Sequence, residues 1–431
     1  MVAMRLSELA TKTQKQTSDS DVSRNARFLT RAGYVGRLMA GVYSFLPLGM
    51  RVLNNIENII REEMNGIGGQ EILMPALQPK DIWEKTGRWD KVDILFKLKG
   101  AGDRDLALGP THEEVVTPLM AGFMQSYRDL PKAVYQIQTK FRNEARAKSG
   151  LLRGREFRMK DLYSFHASQG DLDAFYEQAT AAYHRIFKRC GLGGITLLTY
   201  ASGGIFSRYS HEFQTVTPYG EDVIYRVPGT DIAINKEIID DQDVLKELIP
   251  GYKPGDEKNL EEVKAIEVGN IFKLGTRFAE SFSAGFTAAD GTQRFPVMGC
   301  YGIGPSRVMG TIAECLSDED GLVWPEQVAP YHIHLVSLVN EAADIEKCEK
   351  IYKQLCAEGV SVLYDDRDVR AGEKLADADL IGLLHRVILG KKTLATGSFE
   401  WKKRTETDSN ILPLEKLQEI VPAHESMTFP F

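Results

Sequence analysis

The chain has 431 residues, a net charge of -7 at neutral pH, 43% hydrophobic residues and 26% charged residues. This length predicts two or three domains, and the composition is ordinary for a globular protein. No apolar run is long enough to cross a membrane and the first residues lack the apolar core of a signal peptide, so we expect a cytoplasmic protein without a membrane partner. The five cysteines form no C-x-x-C pair, which predicts neither a disulfide framework nor a zinc site.

The first elements of the chain are predicted to be helices. One extends from Asp21 to about Arg31, and a second, with an apolar stripe, extends from Met50 to about Asn65. The following run EILMP, residues 71–75, predicts a strand that ends at a proline. By itself this unit is more typical of an ordinary amphipathic helix packed on its own core than of a special interface.

A Gly-Pro turn presents Thr111, His112 and Glu113 directly before a helix that is predicted to begin near Glu113. Local sequence favours a helix cap, in which Thr111 and Glu114 form a capping box. In the other interpretation, Thr111 and Glu113 present a hydroxyl and a carboxylate together to a ligand.

Two strands joined by a basic loop are predicted at residues 135–144 and 156–165, because side chains of different character alternate along both segments. The sequence SG at 149–150 and Gly154 allow the turn between them. One face of this strand pair is expected to lie in the core, and the other is expected to form a polar site.

Residues 140–160 carry eight Lys or Arg and two Glu, although the whole chain is acidic. A charged and solvated hairpin is one explanation of this pattern. The placement of Arg142, Glu144 and Phe157 favours another, since these residues can clamp a phosphate, bond a base edge and stack on a base.

The segment GCYGIGPSR, residues 299–307, leads into a helical stretch at 308–314, and its spacing is neither that of a dinucleotide fingerprint nor that of a P-loop. Glycines bring the backbone close to a ligand, and Arg307 at a helix N-terminus adds positive potential for phosphate. A glycine-rich packing turn is the alternative. Upstream, EVGNIFKLG at 267–275 predicts a strand, and we expect His211 to be structural rather than catalytic.

The charged segment 228–264 is too short to hold a domain of ordinary size. After residue 325 the pattern changes to alternating strands and helices, which predicts a small α/β domain with a partly parallel sheet at 326–431. The predicted strands are 332–339, 361–364 and 386–389, and the predicted helices are 342–356 and 373–385. Lys391, Lys392 and the run WKKR at 401–404 fit an RNA-binding surface and a solvated, lysine-protected edge strand equally well.

Taken together, these segments resemble the bacterial prolyl-tRNA synthetases, which are class II aminoacyl-tRNA synthetases. Residues near 50–75, 135–165 and 299–314 resemble their motifs 1, 2 and 3 in that order, with REFRMKDLYSF as the most specific match. The resemblance implies an α+β fold, in which a catalytic domain at 1–325 has an antiparallel sheet flanked by helices and is followed by an α/β anticodon-binding domain at 326–431. The short 228–264 segment resembles the form without an inserted editing domain. Asn270 stands where that family usually has histidine.

The resemblance also implies a reaction and partners. We expect activation of L-proline with ATP and Mg²⁺ to prolyl-adenylate, transfer of the prolyl group to the 3′ end of tRNA(Pro), and a homodimer built through motif 1. The implied catalytic residues are Arg142 and Arg307. The implied proline-binding residues are Thr111, Glu113, Arg142, Met159, Asp161, Tyr163 and Cys300. The implied ATP-binding residues are Arg142, Glu144, Arg153, Phe157 and Arg307.

Two alternatives remain at this point. A threonyl enzyme of the same subclass needs zinc ligands, and the catalytic region contains no matching Cys-His-His set. A synthetase-like RNA-binding or regulatory protein that no longer activates an amino acid is the second alternative. The joint presence of Arg142, Glu144 and Arg307 favours an active enzyme over this second possibility.

Overall fold

The structure is a computed structural model that describes residues 3–16, 23–147, 149–203, 209–249 and 251–420. No helix within these ranges is long and apolar enough to cross a membrane. The helices are α1 (Arg24–Arg31), α2 (Pro47–Gly66), α3 (Lys80–Lys85), α4 (Glu113–Ala121), α5 (Gln169–Arg189), α6 (Gln242–Leu248), α7 (Arg277–Ser281), α8 (Pro305–Leu316), α9 (Ala342–Ala357), α10 (Ala371–Ile381), α11 (Lys391–Ala395) and α12 (Leu417–Ile420).

The described strands form a nine-stranded sheet, a six-stranded sheet and three small ones. The strands are β1 (Ala3–Arg5), β2 (Val35–Met39), β3 (Val42–Phe45), β4 (Gln70–Glu71), β5 (Leu77–Pro79), β6 (Phe96–Lys99), β7 (Asp105–Leu108), β8 (Lys132–Phe141), β9 (Glu156–His166), β10 (Thr196–Ser202), β11 (Tyr209–Val216), β12 (Asp222–Arg226), β13 (Ile232–Asn235), β14 (Glu261–Gly275), β15 (Phe286–Thr287), β16 (Gln293–Arg294), β17 (Val297–Ile303), β18 (Ile333–Leu338), β19 (Val362–Asp365), β20 (His385–Gly390), β21 (Ser398–Lys403) and β22 (Asn410–Pro413).

The chain divides into two compact units, and the smaller one joins the beginning of the chain to its end. The larger unit comprises Met39–Val42 and Ile56–Thr311, and the smaller unit comprises Met1–Leu38, Tyr43–Asn55 and Ile312–Phe431. The division into domains at 1–325 and 326–431 stays a prediction.

The larger unit is built on the nine-stranded sheet, in the order β11-β10-β13-β12-β14-β17-β9-β8-β4. Its central pairs are antiparallel, as expected. Strands β8 and β9 confirm the predicted strand pair: Gln136 lies opposite Asp161, and Lys140 lies opposite Phe157. Since directly opposed residues share a face, the polar residues of β8 and Phe157 lie on the same side of the sheet.

Motif 1 forms as a longer helix and a shorter strand than predicted. Helix α2 extends from Pro47 to Gly66, but β4 contains only Gln70–Glu71. After Ile72 N–H donates to Tyr135 O, the next donor is Met74 N–H, which reaches the Gln136 side chain at 2.9 Å instead of the backbone of β8. The backbone pairing of β4 with β8 therefore ends early, because a side-chain oxygen replaces the next backbone acceptor.

The short 228–264 segment adds elements to this unit. Strand β13 enters the large sheet between β10 and β12, and α6 follows it. The segment has a small core of its own, which includes Ile234, Val244 and Leu245. Pro250 lies outside the described residues.

The sheet of the smaller unit has the order β1-β19-β18-β20-β21-β22, with the first four strands parallel. This confirms the predicted partly parallel α/β arrangement of the C-terminal region. Helix α10 ends at Ile381, earlier than predicted, because Gly382 takes a left-handed conformation with φ of 81°. Strand β1, from the opposite end of the chain, was not predicted: its residues Ala3–Arg5 pair with Val362–Tyr364.

The edge-strand interpretation of the WKKR run is wrong, since β21 pairs with β20 on one side and β22 on the other. Trp401 stacks on His385 with an interplanar angle of 16°. Arg404 is buried and ion-paired with Asp318 at 2.5 Å, so its charge is not available on the surface.

Candidate active site

A cleft of about 390 Å³ opens in the larger unit on the face of β9 that carries Phe157. Strands β9, β14 and β17, the loop before α4 and the loop between β8 and β9 supply its walls. Ten of the eleven predicted site residues line it. These are Thr111, Glu113, Arg142, Glu144, Arg153, Phe157, Met159, Asp161, Cys300 and Arg307.

The remaining predicted residue, Tyr163, lies behind the wall of the cleft. It is fully buried, and its hydroxyl accepts from His112 N–H and donates to Asp161 Oδ2, each at 3.0 Å. It therefore joins the loop before α4 to strand β9. Tyr163 was expected to line the cleft, but it instead supports the wall of the cleft from behind.

The capping-box interpretation of the loop before α4 is wrong. The N-cap residue is His112, and no side chain caps this helix. Instead, Thr111 Oγ1 donates to Glu113 Oε2 at 2.6 Å, and Glu114 accepts from Thr86 and Arg88. The hydroxyl of Thr111 and the carboxylate of Glu113 are therefore presented together in the cleft.

The same loop is held from behind by residues that the sequence did not indicate. Gln78 Nε2 donates to Thr111 O at 3.1 Å. Lys140 Nζ lies 2.6 Å from His112 Nδ1, and His112 Nε2 lies 3.0 Å from Pro75 O. Burial lowers the pKa of His112 to about 4, so the neutral ring accepts from Lys140 and donates to Pro75. The loop is thereby fixed before a ligand arrives.

The basic stretch 140–160 is less available to phosphates than the sequence predicted. Lys140 and Lys160 are fully buried. Lys140 pairs with Asp161 at 2.8 Å, and Lys160 donates to Tyr183 and to Tyr301 O. Arg158 pairs with Glu57 at 2.8 Å. Lys148 lies outside the described residues.

Arg88 also lines the cleft, and no motif in the sequence pointed to it. Its Nη1 lies 2.8 Å from Glu114 Oε1 and 3.5 Å from Glu113 Oε2. Burial raises the pKa of Glu114 to about 7, against the opposing effect of Arg88. The shorter contact goes to Glu114, so Arg88 pairs less closely with the Glu113 carboxylate that faces the cleft.

Cys300 donates to the other oxygen of Glu113, with Sγ 3.4 Å from Oε1. Burial, followed by the charge of Glu113, raises the pKa of this thiol well above its usual range. Cys300 is therefore a protonated donor in the wall of the cleft rather than a reactive thiolate.

Arg142 is the cation of the cleft that is least satisfied by the protein. Within the described part of the chain its side chain makes no hydrogen bond or ion pair, and its Nε is buried without a partner. Its guanidinium carbon lies 5.2 Å from the centroid of the Phe157 ring. Burial lowers its pKa, and the nearby charge of Glu267 partly offsets that effect. An enclosed guanidinium with free donors is suited to an anionic ligand.

Glu144 and Arg153 belong to the loop between β8 and β9. Arg153 Nε lies 3.8 Å from Glu144, and Arg153 Nη1 lies 3.7 Å from Glu221. Ser149, in a left-handed conformation with φ of 68°, donates to Glu221 at 2.6 Å. These contacts tie the loop to the turn before β12.

Arg307 is presented by the first turn of α8, as predicted from the glycine-rich segment. Its Nε donates to Leu152 O at 2.7 Å, and its Nη1 donates to Glu267 Oε2 at 2.8 Å. Nη2 makes no hydrogen bond with any residue that the structure describes. The side chain is therefore fixed while one nitrogen remains for a ligand.

Asn270 and His211 have different surroundings. Asn270 lines the cleft and donates through Nδ2 to Glu267 Oε1 at 3.0 Å. His211 does not line it: its Nδ1 lies 2.8 Å from the Tyr176 hydroxyl, and burial lowers its pKa to about 4. These contacts favour the structural role expected for His211. In the described ranges, no group of three or more His, Cys, Asp or Glu is arranged to hold a metal ion.

Comparisons with known proteins agree with this arrangement. The family "tRNA synthetase class II core domain (G, H, P, S and T)" matches residues 96–315, and "Anticodon binding domain" matches residues 328–424. A curated proline--tRNA ligase of Nitrobacter winogradskyi is 39% identical over 435 positions, which cover 96% of this chain and 98% of the relative. That of Anaplasma phagocytophilum is 40% identical, with 96% and 98% covered. The chain belongs to the prolyl-tRNA synthetase family.

Membership of this family removes the threonyl alternative, and relatives within the family differ in length. The proline--tRNA ligase of Dehalococcoides mccartyi strain 195 is 35% identical, but its alignment needs 560 positions to cover 97% of this chain and 98% of the relative. The Nitrobacter alignment needs only 435. The family thus includes longer members, and this chain is a short form without their additional residues.

Solved structures of prolyl-tRNA synthetases share the fold. The enzyme of Cryptosporidium parvum, solved with L-proline and AMP, has a TM-score of 0.75 at 17% identity, and the match covers 96% of this chain and 76% of that one. The enzyme of Giardia lamblia, solved with prolyl-adenylate, has a TM-score of 0.73 at 21% identity, with 90% and 73% covered. The predicted fold, a class II core with an anticodon-binding domain, is confirmed.

Proposed function

We propose that the cleft of the larger unit joins L-proline to ATP, giving prolyl-adenylate and pyrophosphate, and that the prolyl group then passes to the 3′ end of tRNA(Pro). The single observation that carries this proposal is Arg142, whose side chain has no ion pair within the described residues. A half-buried cation without an ion-pair partner is suited to an anion that binds beside it. Its pKa responds to the charges of Glu113, Glu267 and Arg307, so it lies within range of both groups of predicted ligands.

The end of the cleft around Glu113 suits proline. The ring nitrogen of proline is a cation with two N–H donors, and the paired oxygens of Thr111 and Glu113 are acceptors for them. Met159 and Cys300 line the same cleft and would contact the ring. Asp161 and Tyr163 support this pocket through Lys140 and the loop before α4.

The remaining residues suit ATP. Phe157 offers a face on which adenine can stack, and Glu144 can accept from its amino group. Arg142 would bridge the carboxylate of proline and the α-phosphate. Arg307, through its unoccupied Nη2, would hold the distal phosphates, and Arg153 would add positive charge near the nucleotide.

The chemistry needs positioning more than it needs a covalent step by the protein. A carboxylate oxygen of proline attacks the α-phosphorus, and pyrophosphate leaves from the opposite side. In the second step a terminal ribose hydroxyl of the tRNA attacks the carbonyl carbon, and AMP leaves. Fixed cations such as Arg142 and Arg307 stabilise the charge that develops on the phosphates, because they need no reorganisation during the reaction.

The residues present also fit Mg²⁺. Glu267 lines the cleft, and Glu212 lies opposite the cleft residue Asn270 in the pair formed by β11 and β14. Mg²⁺ in proteins commonly takes one or two carboxylates together with substrate phosphates. Glu267 and Glu212 would hold the ion, which would neutralise phosphate charge when bound.

The smaller unit is the proposed site for the tRNA anticodon. Trp401 stacks on His385, and Lys403 lies 5.7 Å from the Trp401 ring centroid, so an aromatic face and a cation are available together. We propose the boundary between a catalytic domain at 1–325 and this domain at 326–431. As an enzyme of translation, the protein would act in the cytoplasm.

A homodimer through the motif 1 region is the proposed assembly. The support is that Leu73, which lies next to β4, is 76% exposed and that β4 is the last strand of its sheet. Sedimentation of Leu73→Glu against the unmodified chain tests this, since a dimer through that surface should dissociate.

Amino-acid-dependent exchange of pyrophosphate into ATP, measured with all twenty amino acids and without tRNA, tests the function. Exchange with proline, and weaker exchange with alanine or cysteine, is the expected result. Preference for another amino acid would remove the pocket assignment. Absence of exchange, together with binding of tRNA, would support the regulatory alternative.

A further inference from the structure

Asn270 lines the cleft, and its side chain makes few contacts there. The only hydrogen bond that its side chain makes with the described residues is the one from Nδ2 to Glu267 Oε1, at 3.0 Å. Its other polar atom, Oδ1, is buried without a partner in the described part of the chain. Because a carboxylate only accepts, the nitrogen of the amide must face Glu267, which fixes the orientation of the side chain.

Glu267 is in turn the residue that holds Arg307. Its second oxygen, Oε2, accepts from Arg307 Nη1 at 2.8 Å. The three side chains thus form a relay in which Asn270 holds one oxygen of the carboxylate and Arg307 holds the other. Strand β14 supplies Asn270 and Glu267, whereas Arg307 comes from α8.

The relay matters because, among the described residues, Arg307 has only one other hydrogen-bond partner, the carbonyl of Leu152 at 2.7 Å. Glu267 is about one quarter exposed, so without the Asn270 amide its carboxylate can rotate into the open cleft. Rotation would move Oε2 away from Nη1, and the guanidinium would lose one of its two contacts.

We propose that Asn270 is a positioning residue for ATP: it orients the Glu267 carboxylate, which aims Arg307 at the distal phosphates. This inference rests on the proposed function, in which Arg307 holds those phosphates. Because the Asn270 amide does not titrate, it can donate this hydrogen bond to Glu267 at any pH near neutrality. A histidine at this position would supply the same contact from a ring N–H.

The test compares the affinities of ATP and AMP, since AMP lacks the distal phosphates. Both nucleotides are titrated into the full chain by calorimetry, with EDTA present and proline absent. Asn270→Leu keeps the approximate shape of the side chain but removes the donor. We expect roughly tenfold weaker ATP binding and AMP binding within about twofold of the unmodified chain, as suits a hydrogen bond to a charged group.

Two further variants separate positioning from general damage. Asn270→His restores a donor, and ATP affinity should return to within about threefold of the unmodified chain. Asn65→Leu removes a hydrogen bond to Tyr135 elsewhere in the same unit, and should change neither nucleotide affinity. Arg307→Ala should reproduce the selective loss of ATP binding.

Each possible result of these measurements either supports or overturns the positioning role of Asn270. If Asn270→Leu weakens ATP and AMP equally, or leaves both unchanged, the positioning role is overturned. If Asn270→His fails to recover ATP binding although the variant is folded, the donor is not what the position supplies and the proposal also falls. Proline-dependent pyrophosphate exchange by the unmodified chain is measured in parallel. Its absence would remove the proposed function, whereas the ratio of the two affinities would still report on the relay.

Discussion

The guanidinium of Arg142 lies against the ring of Phe157, with 5.2 Å between its central carbon and the ring centroid. Arg142 directly follows β8 and Phe157 is in β9, so this hairpin brings a cation and an aromatic face together in the cleft. Adenine stacked on Phe157 would place its α-phosphate within reach of Arg142. Arg142 is therefore the first residue to test by substitution.

Replacing Arg142 with alanine should abolish adenylate formation and leave tRNA binding nearly intact. The expected loss of proline-dependent pyrophosphate exchange is roughly 10²-fold or more, because a preorganised charge is removed from the site of developing negative charge. Arg158→Ala is the matched control. It removes an arginine from the same hairpin, but one that is paired with Glu57 on the other face of the sheet. Exchange by Arg142→Ala within tenfold of the unmodified chain would rule out its assigned role.

Replacing Thr111 with valine or Glu113 with glutamine should weaken proline more than ATP. Both substitutions disturb the pair that faces the ring nitrogen, whereas the ATP-binding side chains remain in place. The KM for proline should rise roughly tenfold or more, with the KM for ATP within about threefold. Glu114→Gln is the control, because Glu114 is fully buried beside Arg88 and does not line the cleft. An equal rise in both KM values would contradict the assignment.

The smaller unit should lose stability on mild acidification through His334. This side chain is 1% exposed, and neither ring nitrogen has a hydrogen-bond partner in the described ranges. Burial lowers its pKa from 6.5 to about 4. Between those values the unfolded chain binds the proton more readily, so stability is complete above pH 6.5 and falls as the pH drops toward 4.

At pH 5 this single group should contribute a loss of about 2 kcal/mol. His334→Leu should therefore reduce the difference between the thermal unfolding temperatures at pH 7.5 and pH 5. The buried His112 and His211, whose pKa values are also about 4, will leave part of the difference in place. A variant whose pH dependence equals that of the unmodified chain would show that His334 is not the group responsible.

The purified chain should not hydrolyse alanyl-tRNA(Pro) above the spontaneous rate. Segment 228–264 is used to extend the large sheet with β13 and to pack α6 on a small core, and it holds no further domain. Release of alanine from the tRNA over time checks this, with buffer alone as the reference. Brisk hydrolysis by the pure protein would contradict the prediction.

The sequence predicted local patterns better than it predicted contacts between distant segments. Strands β8 and β9 were predictable, because strict alternation over ten residues has no helical equivalent. The three motifs located ten of the eleven expected residues in one cleft. The surroundings of charged residues were harder to predict: Lys140, in β8, is buried against Asp161, whereas Arg142, just after the end of β8, faces the cleft.

The supporting contacts of the site could not be predicted for a related reason. Gln78 and Arg88 contact the loop before α4 and the start of that helix from segments more than 20 residues away. No pattern in the sequence around either residue predicts these contacts. The capping-box prediction failed for the same reason, because contacts with distant residues replaced the local one. Its Thr111 and Glu114 have the correct spacing, but Arg88 and Thr86 take up Glu114 and leave Thr111 to bond Glu113 instead.

Strand β1 imposes an order on how the smaller unit is completed during synthesis. Ala3–Arg5 are made about 359 residues before their partners, Val362–Tyr364, which corresponds to roughly 20 to 70 s of translation. Arg5 is likewise made several hundred residues before its ion-pair partners, Glu349 and Asp366. Until then the first strand has no sheet to join, so a ribosome stalled before residue 362 should carry an N-terminus that proteases can cut, and protection should appear only near the end of translation.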